Sequence, residues 1–341
     1  MDGQVLKEDW EYCRNILPKV SRTFALNIEQ LEGEIYRTVL IGYLLFRIAD
    51  TFEDNNYRDE KHKIADLKDL SVLFEGDKDL SERLKLYEPL KFQWKENSHE
   101  KELIENGHRV LRCYFDISDK YIKIINPLIA EAIEGMIKFK NLKLKSRDNI
   151  FQLNDTRELE EYCYYVAGIV GMMLTKIFCQ KDGIRNNKSE LEKYQIHFGL
   201  ALQLVNIIKD YEKDIERGWC YIPLTMTQKY KIKPESIGSL SIEQQQGIIR
   251  DLSRPAVTYL DSTLKYIKLL PMEERSIRMF CIIPFVLAYR TLVKIIRMEG
   301  NKLSREEVTY LLDMCNTFAE SNNSLEKDYL RLKEDYFESE G

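Results

Sequence analysis

This chain has little of what marks several common protein classes. Its four histidines, His62, His99, His108 and His197, form no HxxH or HExxH pattern, which excludes the usual zinc-hydrolase spacings. Its seven cysteines are scattered, with no CxxC pair. Reduced core thiols in a cytosol-like compartment fit that pattern better than a disulfide or metal framework. No GxGxxG or P-loop pattern occurs, so no standard nucleotide cradle is expected. No run of about 18 apolar residues occurs, so no transmembrane helix is expected, and the acidic, polar start MDGQVLKEDWEYC has no signal or transit character. With 51 basic against 56 acidic residues and a net charge of −5, nothing invites nucleic acid. Only 8 prolines and 15 glycines punctuate 341 residues, and they fall between helical stretches, as in an all-α protein.

What remains is helical periodicity from end to end, with no hairpin signal. A helix from Asp9 should stop at Pro18, Ser21 should cap the next, and Val39–Asp54 should form a third. The charged stretch from Asn55 to Ile104 holds weaker amphipathic segments around Ile64–Phe74 and Leu80–Trp94, with charges read as solvated faces. Further helices are expected at Gly107–Ile125 (ended by Pro127), Leu128–Phe139, Thr156–Phe178, Leu191–Glu216, Ser241–Leu270, Glu274–Met298 and Arg305–Tyr336. No linker or tandem repeat separates them, so residues 1–341 read as one domain.

Two of these helices carry unusual polar stripes. In VLIGYLLFRIADTFED, Tyr43, Arg47, Asp50 and Asp54 recur at i, i+4, i+7 and i+11 on one edge of an otherwise apolar helix, with Glu53 beside them. An internal ion pair of Arg47 with Asp50 or Asp54 would explain that stripe. So would a hard-cation site, in which carboxylates one turn apart hold Mg²⁺ and the metal holds a phosphate. The second copy favours the cation site: in LALQLVNIIKDYEKD, Gln203, Asn206, Asp210 and Asp214 recur along one edge of a helix expected to be buried with an amide-lined seam. If the helices face each other, their carboxylates repel strongly unless divalent cations lie between them. Arg47, Lys209, Lys213 and Arg217 stand close by in sequence and could pair with phosphate oxygens, although both lysines could be plain surface residues, and Lys213 reads more readily as one.

A third stretch, EYCYYVAGIVGMMLTKIF, places Tyr162 and Tyr165 about a turn apart. Its Gly168 and Gly171 lie on a side that allows close approach of another helix or of substrate. Plain core packing would account for the same residues. The wide apolar faces of the three helices could also form a deep pocket for a hydrocarbon chain.

SRTFALNI, DTFED, YCYYVAGIVG and NIIKDYEKD strongly resemble the motifs of the squalene/phytoene synthase family, in that family's order and spacing. The resemblance runs from about Cys13 to the last long helix. It implies a single isoprenoid-synthase-type helical bundle around a deep central cavity. Arg278–Leu292, RMFCIIPFVLAYRTL, looks like the squalene-synthase branch. That branch implies a transferase joining two farnesyl diphosphates head to head, using Mg²⁺ (with Mn²⁺ as a substitute) and NADPH. The product would be squalene, a sterol or hopanoid precursor.

Carried over by motif, Asp50, Glu53 and Asp54 match one metal-diphosphate cluster, and Asp210 and Asp214 match the other. Ser21, Arg22 and Arg47 match diphosphate-binding positions, with Gln203 and Arg217 placed beside the second group. Tyr43 and Tyr162 match active-site tyrosines. Asn206 and Lys209 match positions near the second diphosphate or the cofactor, and Phe280, Lys302 and Arg305 are placed with NADPH. Tyr43, Phe46 and Tyr162 could stabilise positive charge through their π faces, and Tyr162 is the candidate for handling the lost proton, with diphosphate as an alternative base.

Two departures stand out. Lys209 replaces a frequent Arg and loses the bidentate fork; Trp219 occupies a loop position where Arg is common. The C-terminal anchor of eukaryotic members is also absent from this sequence. A monomeric cytoplasmic enzyme, touching a membrane peripherally to release product, is expected. The competing readings are a dehydrosqualene, phytoene or presqualene diphosphate synthase, a terpene cyclase, and a non-catalytic member used in assembly. YCYYVAG and FCIIP argue against the cyclase, and the complete carboxylate clusters argue against the non-catalytic member.

Overall fold

The computed structural model describes residues 3–55, 58–92, 98–146, 148–233, 236–237 and 240–335, apart from the side chains of Arg22, Thr23 and Phe92. Among these residues the fold is all-α, with one pair of two-residue strands as its only sheet. Strands that short carry no periodicity, which is why the sequence gives no sign of them. The chain divides into two compact units: Met1–Lys145 with Lys176–Phe178, and Ser146–Thr175 with Cys179–Gly341.

The first unit contains α1 (Gly3–Val20), α2 (Arg22–Ile28), α3 (Gly33–Glu53), α4 (Glu60–Val72), α5 (Leu80–Tyr87), a 3₁₀ turn at Glu88–Phe92, α6 (His99–Glu105), α7 (Gly107–Tyr114) and α8 (Asp119–Lys145). Two prolines expected to end helices lie inside them. Pro18 sits in the last turn of α1, and Pro127 lies within α8. A mid-helix proline costs about 3 kcal/mol. On α8, Ile125, Leu128, Ile129, Ile133, Met136 and Phe139 are buried, each worth about 1.5–3 kcal/mol, so packing outweighs the break.

The charged stretch before α6 differs from its reading as solvated faces. Lys63, Asp66 and Arg83 are buried. Arg58 forks onto Asp66 at 3.0 and 2.7 Å, and Arg83 donates to Asn126 Oδ1 at 2.9 Å. Asn126 lies 43 residues from Arg83, too far along the chain for local periodicity to reveal the pair. Trp94 and Tyr336, which end two expected helices, lie outside the described residues.

The second unit contains β1 (Phe151–Gln152), α9 (Thr156–Cys163), a π-helical turn (Tyr164–Gly168), α10 (Ile169–Phe178) as far as Thr175, α11 (Asp182–Arg185), α12 (Lys188–Glu216), β2 (Trp219–Cys220), α13 (Leu224–Lys229), α14 (Ile242–Leu269), α15 (Arg275–Ile296), α16 (Arg305–Glu320) and α17 (Asn322–Lys333). The single helix expected over Arg305–Tyr336 breaks at Ser321, whose extended backbone ends α16 and whose hydroxyl accepts from Ser324 N at 3.2 Å to start α17.

α12 packs along α14, α15 and the π-helical turn. The approach to the turn is close because the facing positions are glycine. A Cβ on Gly199 would fall on the Ala167 carbonyl oxygen, and one on Gly171 would fall on that of Gln195.

α15 is long and apolar enough to cross a membrane by length and composition, and 72% of its most apolar window is buried inside the protein. The sequence masks that length because Arg278, Arg290 and Lys294 interrupt it. Arg278 is fully buried and donates to the carbonyls of Ile267, Leu270 and Ala319 and to Asn322 Oδ1 at 2.7–3.1 Å. It ties α15 to the ends of its neighbours.

Candidate active site

The first polar stripe belongs to the first unit. Between Val39 and Phe52 every residue of α3 is buried except Tyr43, Arg47 and Asp50. Only the edge carrying those three keeps contact with solvent. Ser21 caps α2, accepting from Phe24 N at 3.2 Å, and its hydroxyl also bonds Tyr43, whose ring lies 5.5 Å from that of Phe24. Arg47 donates from Nη2 to Glu100 Oε1 on α6 at 3.1 Å. Its Nε is buried with no hydrogen-bond partner. Burial works against the Arg47 charge, but Asp50, Tyr43 and Glu100 outweigh it and raise its pKa.

Asp50 is a strongly perturbed carboxylate. Burial pushes its pKa up to about 7, with Glu53 and Asp54 adding to the rise and Arg47 opposing it. Asp54 is exposed and ends α3, its N–H donating to the Asp50 carbonyl at 2.8 Å. Glu53 faces elsewhere. It is buried against the equally buried Lys140 of α8 at 3.6 Å, beside Glu60, Lys63 and Lys143. The side chain of Arg22 lies outside the described residues.

The second stripe belongs to the second unit. Gln203, Asp210 and Asp214 on α12 are half-buried, and Asn206 is exposed rather than part of a buried seam. Lys209 Nζ donates to Asn206 Oδ1 at 2.8 Å and pairs with Asp210 at 3.2 Å; Lys213 pairs with the other Asp210 oxygen at 3.0 Å. Burial would raise the Asp210 pKa, but the two ammonium groups overcome it and hold the carboxyl below the usual range. Asp50 and Asp210 are thus tuned in opposite directions. Arg217 is exposed at the C-cap of α12.

Some of the residues placed with NADPH come together. Asn301 Nδ2 donates to the Lys209 carbonyl at 3.0 Å, which docks the loop after α15 onto α12 and brings Lys302 to Lys213. Lys209, Ile295, Gly300 and Asn301 line an open cleft there. Arg305 is exposed in the first turn of α16. Phe280 is buried in α15, fifteen residues before Ile295, or roughly 22 Å along the helix at 1.5 Å per residue. It does not share that cleft.

Tyr162 is buried near the end of α9 and meets a residue that local spacing could not reveal. Its hydroxyl donates to the Tyr221 hydroxyl at 2.9 Å, and the rings stack with centroids 4.5 Å apart. Tyr165 instead meets Tyr164 edge-on, because the wider π-helical turn changes the phase of the helix between positions 162 and 165. Sequence reasoning missed Tyr221, Glu100 and Lys140 alike. Each lies tens of residues from its partner, and the charged stretch containing Glu100 reads as surface.

Among the described residues no three His, Cys, Asp or Glu side chains are gathered to hold a metal ion by themselves. With Glu53 committed to Lys140, each stripe offers two carboxylates. That donor set fits Mg²⁺, which keeps several waters and takes one or two carboxylates plus phosphate oxygens. The unpartnered Arg47 Nε fits an anion arriving with it. For NADPH the fit is one of charge: Lys209, Lys213 and Lys302 form a basic group able to take a phosphate.

The family model for squalene/phytoene synthase matches residues 17–311. This chain belongs to the squalene/phytoene synthase family. It is 28% identical over 294 residues to the squalene synthase of Schizosaccharomyces pombe, covering 84% of this chain and 59% of that protein. The chain therefore spans about six tenths of that relative's length. Among solved structures, a ligand complex of TcSQS aligns with a TM-score of 0.77 at 24% identity, over 95% of this chain and 91% of the other. A dehydrosqualene synthase bound to a ligand aligns at 0.64 and 21%, over 92% and 98%. At these identities the structures establish a shared fold.

Proposed function

We propose that this protein is a squalene synthase. It condenses two farnesyl diphosphates to presqualene diphosphate and then reductively rearranges that intermediate to squalene. The observation that carries the reading is the α3 edge. Between Val39 and Phe52, where every other residue of the helix is buried, Tyr43, Arg47 and Asp50 alone reach solvent, and they belong to a motif shared with a family whose named relatives include squalene synthases.

Asp50 with Asp54, and Asp210 with Asp214, would hold Mg²⁺; Glu53, held by Lys140, would support the first pair from behind. Bound there, Mg²⁺ would neutralise the diphosphate and ease its departure as a leaving group. Arg47 would bind diphosphate through its unpartnered Nε, and Ser21 would orient Tyr43 beside it. Lys209, relieved of Asp210 once that carboxylate turns to the metal, would take a phosphate oxygen as a point charge. Tyr43 and Tyr162 would face developing positive charge with their rings, and Tyr162 would receive the proton lost as the cyclopropane closes. Lys302 and Arg305 would hold a cofactor phosphate, with NADPH as the hydride donor for the second half-reaction.

Product analysis tests this directly. With farnesyl diphosphate and Mg²⁺, the protein should give squalene when NADPH is present and presqualene diphosphate or unreduced products when it is absent. One identical product at the same rate in both conditions would move the protein to the dehydrosqualene or phytoene synthases. Replacing Lys302 and Arg305 together with Ala should raise the NADPH requirement while leaving consumption of farnesyl diphosphate intact.

A further inference from the structure

Trp219 departs from the Arg common at its position, and its surroundings explain what it does instead. It is buried, with its ring stacked on Tyr221 at 5.6 Å and 15°, and Phe151 packs edge-on against it at 5.2 Å. Extended backbone puts residues two apart on the same face, so Trp219 lies beneath Tyr221, and Tyr162 closes the stack from the other side at 4.5 Å. Tyr221 is the middle ring of three.

The backbone beneath the stack is fixed. Gly218, at φ +76°, turns the chain out of α12 in a conformation other residues resist. Phe151 N donates to the Gly218 carbonyl and Leu153 N to that of Cys220, at 3.0 and 3.2 Å. Gln152 Nε2 then donates to the Ile222 carbonyl at 2.8 Å. On the far side, Tyr162 lies just before the π-helical turn that the Gly199 contact with Ala167 clamps onto α12. Both hydroxyls are therefore carried on restrained backbone.

The two residues differ in access: Tyr162 is buried and Tyr221 is half-buried. A hydroxyl has one proton to donate and lone pairs to accept with. Tyr162 spends its proton on Tyr221, which leaves its oxygen as the accepting side.

We propose that Tyr221 is the positioning residue of Tyr162 and the relay through which the proton leaves. This rests on Tyr162 being the proton-handling group. As the cyclopropane closes, a C–H bond of the cationic intermediate breaks and its electron pair forms the new C–C bond. The proton goes to Tyr162 Oη, Tyr162 passes its own hydroxyl proton to Tyr221 Oη, and Tyr221 releases its proton to water. Both tyrosines end neutral, and nothing is oxidised or reduced. A neutral phenol can serve as base here because it never has to hold the added charge.

The test follows presqualene diphosphate formation from farnesyl diphosphate with Mg²⁺ and no NADPH, in wild type, Tyr162→Phe, Tyr221→Phe and the double variant. Tyr221→Phe keeps the ring and the stack. It should lower kcat by about 10–100-fold with KM changed less than about twofold, and should reduce the solvent isotope effect on kcat. The double variant should be no slower than Tyr162→Phe alone, because the two hydroxyls act as one unit. Trp219→Phe, which leaves both hydroxyls and thins the stack, should give a smaller loss of kcat; wild-type kcat there overturns the positioning role of the stack. Wild-type kcat and isotope effect in Tyr221→Phe, beside a crippled Tyr162→Phe, overturns the relay and spares the reading of Tyr162. A wild-type-like Tyr162→Phe overturns both.

Discussion

Arg47 gives one guanidinium N–H to Glu100, Nη2 to Oε1 at 3.1 Å, and keeps its Nε buried without a partner. A buried donor left unmade costs about 1–3 kcal/mol. An incoming diphosphate oxygen would satisfy it. Arg47→Lys keeps the charge and loses the fork. It is expected to raise KM for farnesyl diphosphate at least about tenfold, a loss of about 1.4 kcal/mol in binding, while the thermal midpoint stays near wild type. Steady-state kinetics with a parallel melting curve decide it; an unchanged KM removes Arg47 from the diphosphate site.

Asp54→Asn and Asp210→Asn should each abolish turnover without loss of fold, since each removes a carboxylate from a stripe that has only two to offer. Activity measured across a Mg²⁺ titration is the check. Wild-type rates at limiting Mg²⁺ in either variant would sink the metal assignment.

The raised pKa of Asp50 makes a stability prediction with a definite sign. Its folded value of about 7 lies above the usual unfolded value of about 3.9. Between those values the native state holds a proton that the unfolded state has released, so this group lowers stability as pH rises through the window, and the loss is complete above pH 7. In EDTA, Asp50→Asn should melt higher than wild type at pH 8, by about 2–5 °C, and close to wild type at pH 4. Adding Mg²⁺ at pH 8 should stabilise wild type more than Asp50→Asn, which keeps the Asp210–Asp214 pair but loses one carboxylate of the first. A difference that grows toward acid pH contradicts the burial argument.

Glu53 and Lys140 form a buried ion pair, and burial raises the Glu53 pKa despite the ammonium beside it. Lys140→Met removes the partner and leaves the carboxylate stranded, at an expected cost of about 3–5 kcal/mol. Adding Glu53→Gln should recover most of that. Denaturant unfolding at pH 8 measures both. At pH 5, where the stranded carboxyl can hold a proton, the single variant should lose less.

The helices were legible in the sequence wherever burial alone decides them, and the edge of α3 was legible to the residue. A polar side chain on a buried helix must face a partner or solvent, and period 3.6 says which positions share that edge. What the sequence hid depends on long-range pairing. Nothing near Tyr162 announces Tyr221, and nothing near Glu53 announces Lys140. Pro127 misled for the same reason, since the burial that outweighs it comes from partners elsewhere in the fold. The π-helical turn changed the phase between Tyr162 and Tyr165, which no fixed period can anticipate.

Arg278 opens the stretch whose resemblance points to the reductive half-reaction, yet its guanidinium is used up inside the protein. Its acceptors include the last carbonyls of α14 and α16, where helix dipoles gather about half a negative charge each. One cation thus neutralises two helix ends through carbonyl and amide oxygens, and burial lowers its pKa. A lysine there could not fork across both ends. Loss of product in an Arg278 variant will therefore report a loosened scaffold, and hydride transfer must be probed at residues farther along.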